Sequence, residues 1–167
     1  MELIDLYNEN KILTGERIAR GEPIPVGRYK LSIHIWIMND LNEIYIQKRA
    51  NTRKLFPNKW ENPGGGAIAG QSSKETFIRE FEEELGIKPD INNSKLILSF
   101  KREKDFVDMW FVKQNFDISS LNLQKEEVSE AKWVTLKDLK EMLNENEFCP
   151  TFEQSLNPFL NYLNKSN

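Results

Sequence analysis

Glu80, Glu83 and Glu84 stand at i, i+3 and i+4 in a stretch that also carries Phe77, Ile78, Phe81 and Leu85. At about 100° per residue, the three acids share one arc of a helix and the four apolar side chains share another beside it. Glu75 and Glu82 point elsewhere, toward solvent. Like charges at these spacings repel by roughly 0.2–0.5 kcal/mol per pair, and no lysine stands where it would relieve them on this face. Two chemistries accommodate the arrangement. The acids can be hydrated, or they can share a hard divalent cation, Mg²⁺ or Mn²⁺, which prefers carboxylate oxygen and keeps waters for a phosphate ligand. The preceding run Pro63-Gly64-Gly65-Gly66 favours the cation. A backbone without side chains can bring carbonyl and amide groups close to a metal or a phosphate.

The acids need a rigid carrier. Residues 72–85 supply one: Ser72 and Glu75 have capping-box spacing, Gly86 suits a left-handed end, and Pro89 blocks resumption. Around this helix the pattern predicts strands. Residues 3–7 and 11–14 flank the turn Asn8-Glu9-Asn10 in a small β extension, residues 1–28, that closes at Gly21, Pro23 and Pro25. In residues 30–38, Leu31, Ile33, Ile35 and Ile37 share one face and His34, Trp36 and Met38 the other. Further strands are expected at 44–49, 60–62, 96–100, 106–112 and 131–134. Thr135 caps a helix carrying Leu136, Leu139, Met142 and Leu143, and a last helix covers 152–163, where Pro158 marks a kink or a restart. This order predicts an α/β (α+β) fold with a mixed sheet packed between helices.

The segment resembles the signature box of the Nudix hydrolases. That box runs Gly, five residues, Glu, seven residues, Arg-Glu, an apolar residue, any residue, Glu-Glu, any residue, Gly and an apolar residue. Here Gly65, Gln71, Arg79-Glu80-Phe81, Glu83-Glu84, Gly86 and Ile87 occupy those positions, and the one departure is Gln71 in place of Glu. The resemblance implies an α/β/α sandwich and a MutT-like pyrophosphatase, with 1–167 as one Nudix domain and 64–87 as its box. It implies Glu83 and Glu84 as the main metal ligands and Glu80 as a further ligand or the residue that handles water. The Gly64 carbonyl would be a backbone ligand, and Arg79 would orient the carboxylates. The implied reaction is water attack on a diphosphate in a nucleoside diphosphate derivative or a related small diphosphate, with Mg²⁺ or Mn²⁺. Gln71 cannot supply a charge to Arg79 or a metal, yet its amide oxygen can accept a hydrogen bond from the guanidinium. A domain that binds a diphosphate ligand without turning it over is therefore a second reading.

Asp5-Leu6-Tyr7-Asn8-Glu9, Thr14-Gly15, Arg20-Gly21, Gln47-Lys48-Arg49 and Pro57-Asn58-Lys59-Trp60 look like the branch related to isopentenyl-diphosphate isomerase. Such isomerases use a cysteine just before the box helix and metal-binding histidines. This chain has glycines there, Cys149 far away and a single histidine, His34. A hydrolase with isomerase-like architecture is expected, and isomerase activity is the alternative.

An acidic chain (net charge -3) needs a basic rim to draw in a diphosphate. Lys48, Arg49, Arg53, Lys54 and Lys59 lie between the second central strand and the glycines, with Arg49 the best placed because it closes a strand. Gly65 and Gly66 are candidate phosphate contacts. Glu127, beside Glu126, is a candidate general base, since similar proteins carry an acid in this later loop. Trp36, Tyr45, Phe56, Trp60 and Trp110 could stack a base but read mainly as core, His34 as a sheet residue, and Cys149 as an inert thiol.

The charge balance excludes a dedicated binder of nucleic-acid polymers. The apolar runs are too short to span a membrane. Met1 to Asp5 lacks a basic-then-apolar leader, and the lone cysteine points to a reducing cytoplasm. Apolar residues in the N-terminal hairpin hint at a homodimer.

Overall fold

The computed structural model describes residues 1–166. At its centre, β3 (Lys30–Met38) runs parallel to β8 (Asp105–Lys113), in register from Lys30 opposite Asp105 to Met38 opposite Lys113. β7 (Ser94–Lys101) returns antiparallel along the outer edge of β8. β6 (Gly64–Gly66) lies antiparallel on the other edge of β3, with Gly66 opposite Ser32 and Gly64 opposite His34. β4 (Ile44–Arg49) pairs with β3 at Met38 and Ile44, then diverges to pair with β9 (Val128–Val134) and β5 (Trp60–Glu61). The glycine strand occupies the gap that this divergence opens.

Both faces of β3 are covered, which is why its apolar residues run almost without a break. On one face Leu31, Ile33, Ile35 and Ile37 pack with Phe77, Phe81 and Leu85 of α1 (Ser73–Leu85) and with Phe106, Trp110 and Val112 of β8. On the other, Trp36, Met38, Val107 and Met109 pack with residues of α2 (Leu136–Asn144) and α3 (Pro150–Ser166). The result is the expected α/β/α sandwich around a mixed sheet. Trp36 stacks on Phe159 at 4.2 Å between ring centres, tying α3 to the sheet. Pro158 neither stops nor restarts α3, which continues through it.

The cap of α1 forms as its residue types require. The Ser72 hydroxyl accepts from the Glu75 amide at 3.2 Å, and the Glu75 carboxylate accepts from the Ser72 amide at 2.8 Å, an arrangement worth about 1 kcal/mol. At the far end Gly86 adopts φ 72° and donates to the Glu82 carbonyl, and a side chain there would collide with Asn122. The helix carrying the acids is therefore fixed at both ends.

The N-terminal extension is an antiparallel hairpin, β1 (Leu3–Tyr7) and β2 (Leu13–Ala19). β2 runs further than residues 11–14, because Ile18 and Ala19 pair back to Ile4 and Leu3. The hairpin docks on the loop before α1: the Ala69 amide donates to the Leu3 carbonyl, and the Gly70 amide to the Asp5 carboxylate at 2.6 Å. At its turn Lys11 pairs with buried Asp108. Leu3, Ile12 and Leu13 remain exposed. Among the described residues no helix is long and apolar enough to cross a membrane.

Candidate active site

The buried side of α1 faces the glycine strand. A side chain at Gly65 would overlap the Glu80 carboxylate, and one at Gly64 would overlap the Ile33 carbonyl. At Gly64 the neighbour is backbone that cannot move aside, so glycine is required there; at Gly65 it is the end of a flexible side chain, and the missing Cβ leaves Glu80 its place. One turn further on, Glu84 is 4% exposed. Its carboxylate accepts from Gln47 Nε2 at 2.6 Å, and the Gln47 amide is oriented by the buried Tyr45 hydroxyl, which donates to Gln47 Oε1 at 3.3 Å. The register of β4 and β5 sets Glu61 opposite Gln47. Glu61 is buried too and accepts from Arg49 Nη1 at 2.8 Å.

These carboxylates disturb one another. Burial pushes the Glu84 carboxyl well above the ordinary range, and Glu61, Glu80 and Glu127 push it further. Burial also raises Glu80 and Glu61, against the opposing pull of Arg79 and Arg49 respectively. Desolvated oxygen donors short of positive charge are what a hard cation satisfies. Among the described residues no three acidic, histidine or cysteine side chains already converge into a cation cage. Arg79 accounts for part of this: its Nη1 lies 2.9 Å from Glu80 and 3.0 Å from Glu83, so it gathers both acids to itself. The chemistry of the donor set, carboxylate oxygens with a backbone carbonyl, nevertheless fits Mg²⁺ or Mn²⁺.

Arg79 also donates to the Gly66 carbonyl at 2.9 Å and, through Nε, to Gln71 Oε1 at 3.0 Å. Gln71 thus keeps the contact with the guanidinium and lacks only its charge. The arginine that anchors the acids to the glycine strand is also the counter-ion that lysines fail to provide.

Two cavities share Gly64 and Gly65 in their walls. One, of about 410 Å³, is bounded by Arg79, Glu80, Glu83, Arg53, Glu127 and Arg20. The other, of about 220 Å³, adds Arg49, Glu61, Glu84 and Gly66 and extends toward α3. Glu127 borders both and pairs with Arg53 at 3.0 Å, whereas Glu126 and Lys54 face a separate depression. Lys48 and Lys59 border neither cavity. Lys48 points from the opposite face of β4 to Glu130 and the Trp60 ring, and Lys59 bonds the Asn146 carbonyl. Glu61, Gln47 and Arg20 are the site residues that the sequence reading missed. Strand alternation was the available signal for Gln47, which shares a face with Arg49. Arg20 arrives from the end of the hairpin, and the Arg20-Gly21 motif gave it no role at the site.

The remaining candidates fall as expected. Trp36, Tyr45, Trp60 and Trp110 are core residues, while Phe56 is partly exposed. Cys149 is buried at the start of α3, with its Sγ 3.1 Å from the Thr151 hydroxyl.

With this geometry in view, known proteins supply the relationship. Residues 28–152 match the NUDIX domain model. An uncharacterized Nudix hydrolase of Listeria monocytogenes is 39% identical over 164 residues, covering 98% of this chain and 94% of that protein. Isopentenyl-diphosphate Delta-isomerase 1 of Photorhabdus laumondii is 30% identical over 129 residues, covering 71% of this chain and 72% of that one. The crystal structure of DR0079 from Deinococcus radiodurans shares the fold, with a TM-score of 0.75 at 22% identity, over 89% of this chain and 92% of that one. A capped helix of acids against a glycine strand, the matching domain model and a relative aligned over nearly the whole chain agree that this protein belongs to the Nudix hydrolase family.

Proposed function

We propose that this protein hydrolyses the diphosphate bond of a nucleoside diphosphate derivative or a related small diphosphate, using Mg²⁺ or Mn²⁺. The observation that carries the reading is the group of desolvated acids, Glu84 with Glu61 and Glu80, the last of them pressed against Gly65 of the glycine strand. Glu80, Glu83 and Glu84, with the Gly64 carbonyl, would hold the ion. When bound, it would polarise the phosphoryl oxygens, acidify a water and offset charge on the leaving group.

The chain's own residues do the rest. Gln47, held by Tyr45, aims the Glu84 oxygens. Arg79 holds Glu80 and Glu83 beside the Gly66 carbonyl, which narrows the range of positions open to the two acids. Arg49, Arg53 and Arg20 border the cavities with fixed guanidinium groups suited to phosphate oxygens. Glu127, partly exposed and facing both cavities, is the carboxylate placed to take a proton from the attacking water.

The isomerase reading gains support from the relative in Photorhabdus, yet glycines stand where such isomerases carry their cysteine, Cys149 is buried, and His34 is the sole histidine. Incubating the protein with Mg²⁺ or Mn²⁺ and a panel of nucleoside diphosphate derivatives plus isopentenyl diphosphate separates the readings. Release of a mononucleotide supports hydrolysis, allylic product supports isomerisation, and binding without turnover supports a ligand-binding domain. Gln71→Glu tests the departure from the box: it turns the hydrogen bond from the Arg79 guanidinium to an amide oxygen into an ion pair. The variant should raise turnover or metal affinity severalfold in the same assay, and unchanged values would make Gln71 equivalent to the family's Glu here.

A further inference from the structure

The smaller cavity continues past the glycine strand to an end with a different character. There it is lined by Lys30, Ser32, His34, Arg102, Thr151 and Phe152. We propose that this end is a subsite for a phosphate monoester carried by the part of the substrate remote from the scissile diphosphate, an inference that rests on the hydrolase reading above.

Lys30, Ser32 and His34 alternate on one face of β3, about 7 Å apart at each step. The glycine strand lies alongside Ser32 and His34. A molecule held at the acids can therefore cross the bare glycine backbone and reach Lys30 with its other half. The acids at the first end repel a free anion, whereas this end attracts one. Arg102 is fixed by Asp105, accepting from its Nε at 2.8 Å and its Nη2 at 2.5 Å, and Asp105 also accepts from Ser32 Oγ at 2.7 Å. Asp105 offsets one positive charge. Among the described residues no carboxylate lies within 4.0 Å of the Lys30 ammonium, so one charge remains uncompensated.

Two further features suit an anion. Thr151 and Phe152 belong to the first turn of α3, a 17-residue helix whose start concentrates partial positive charge. His34, 4% exposed and stacked on Phe152 at 4.7 Å, has no partner for Nδ1. Burial, with Arg102 nearby, pushes His34 down to about 3, so it stays neutral and serves as an uncharged hydrogen-bonding group. A monoester dianion meets the paired and unpaired cations, the Ser32 and Thr151 hydroxyls and the helix start together.

The test has two arms on the full chain. In the first, inorganic phosphate is titrated without added metal and backbone amide resonances are followed. Saturable shifts at Lys30, Thr151 and Phe152, weakened at least fivefold in affinity by Lys30→Gln, support the subsite. Shifts confined to 64–66, or an affinity that Lys30→Gln leaves unchanged, overturn it. In the second, hydrolysis with Mn²⁺ is compared within pairs that differ by one phosphate monoester: NADPH against NADH, and coenzyme A against dephospho-coenzyme A. The expected result is at least a tenfold preference in kcat/KM for the phosphorylated member of one pair, expressed in KM and falling to near parity in Lys30→Gln. Turnover without that preference overturns the subsite and leaves the hydrolase reading standing. No turnover of any diphosphate, with no phosphate shifts at α3, overturns both.

Discussion

Glu84→Gln should lower metal-dependent turnover by roughly 10²–10³-fold, the usual scale for removing one preorganised electrostatic contact. The same substitution should make the metal-free protein more stable at neutral pH. The fold keeps a buried carboxylate that accepts from the Gln47 amide, beside three other acids that oppose its charge. Gln at 84 can still accept from Gln47, so the hydrogen bond survives and the desolvated charge disappears. A gain near 1 kcal/mol corresponds to about 2–4 °C in Tm for a chain of this size.

The pH dependence has a definite sign. A carboxyl whose folded pKa is raised takes up a proton on folding between its unfolded value, near 4.5, and the higher folded one. Its stabilising contribution is full below that window and is lost as pH rises through it. The Tm advantage of Glu84→Gln should therefore be small near pH 4.5 and grow toward neutral pH. A variant that loses turnover and also loses stability at pH 7 would show that Glu84 is structural.

The second large effect separates two adjacent glycines. Gly64→Ala places its methyl against the Ile33 carbonyl, a backbone atom that cannot yield without parting β6 from β3. A destabilisation of about 2–4 kcal/mol is expected, visible in denaturant or thermal unfolding. Gly65→Ala instead displaces the Glu80 carboxylate, the far end of a flexible side chain. It should unfold nearly as the parent does, yet lose turnover by about 10²-fold as Glu80 is pushed from its place. Equal losses of stability in both variants would contradict this division between backbone and side-chain neighbours.

Much of the fold was legible because local rules agreed with the tertiary outcome. The box helix declares its own start, end and buried stripe, and each is found in the structure. The alternation in β3 assigned faces that the two cores occupy. Pro158 marks no restart, because a helix packed through Trp36 and Phe159 tolerates one missing amide. The site was less legible. Glu61 reaches Glu84 through a two-residue strand whose register no local pattern fixes. Lys48 and Lys59 attracted attention by charge and proximity in sequence, but the pleat of β4 turns Lys48 away from the face that Arg49 shares with Gln47. The phosphate-favouring end joins β3, the turn before β8 and the start of α3, segments brought together only by the folded sheet.

The central claim, that the acids of α1 exist to take a hard cation, is tested most directly by titrating the metal-free protein with Mn²⁺ and reading free ion by electron paramagnetic resonance. Saturable uptake that Mg²⁺ displaces and Glu84→Gln removes is the predicted result. No uptake at saturating Mn²⁺, or the same uptake in Glu84→Gln, would contradict it.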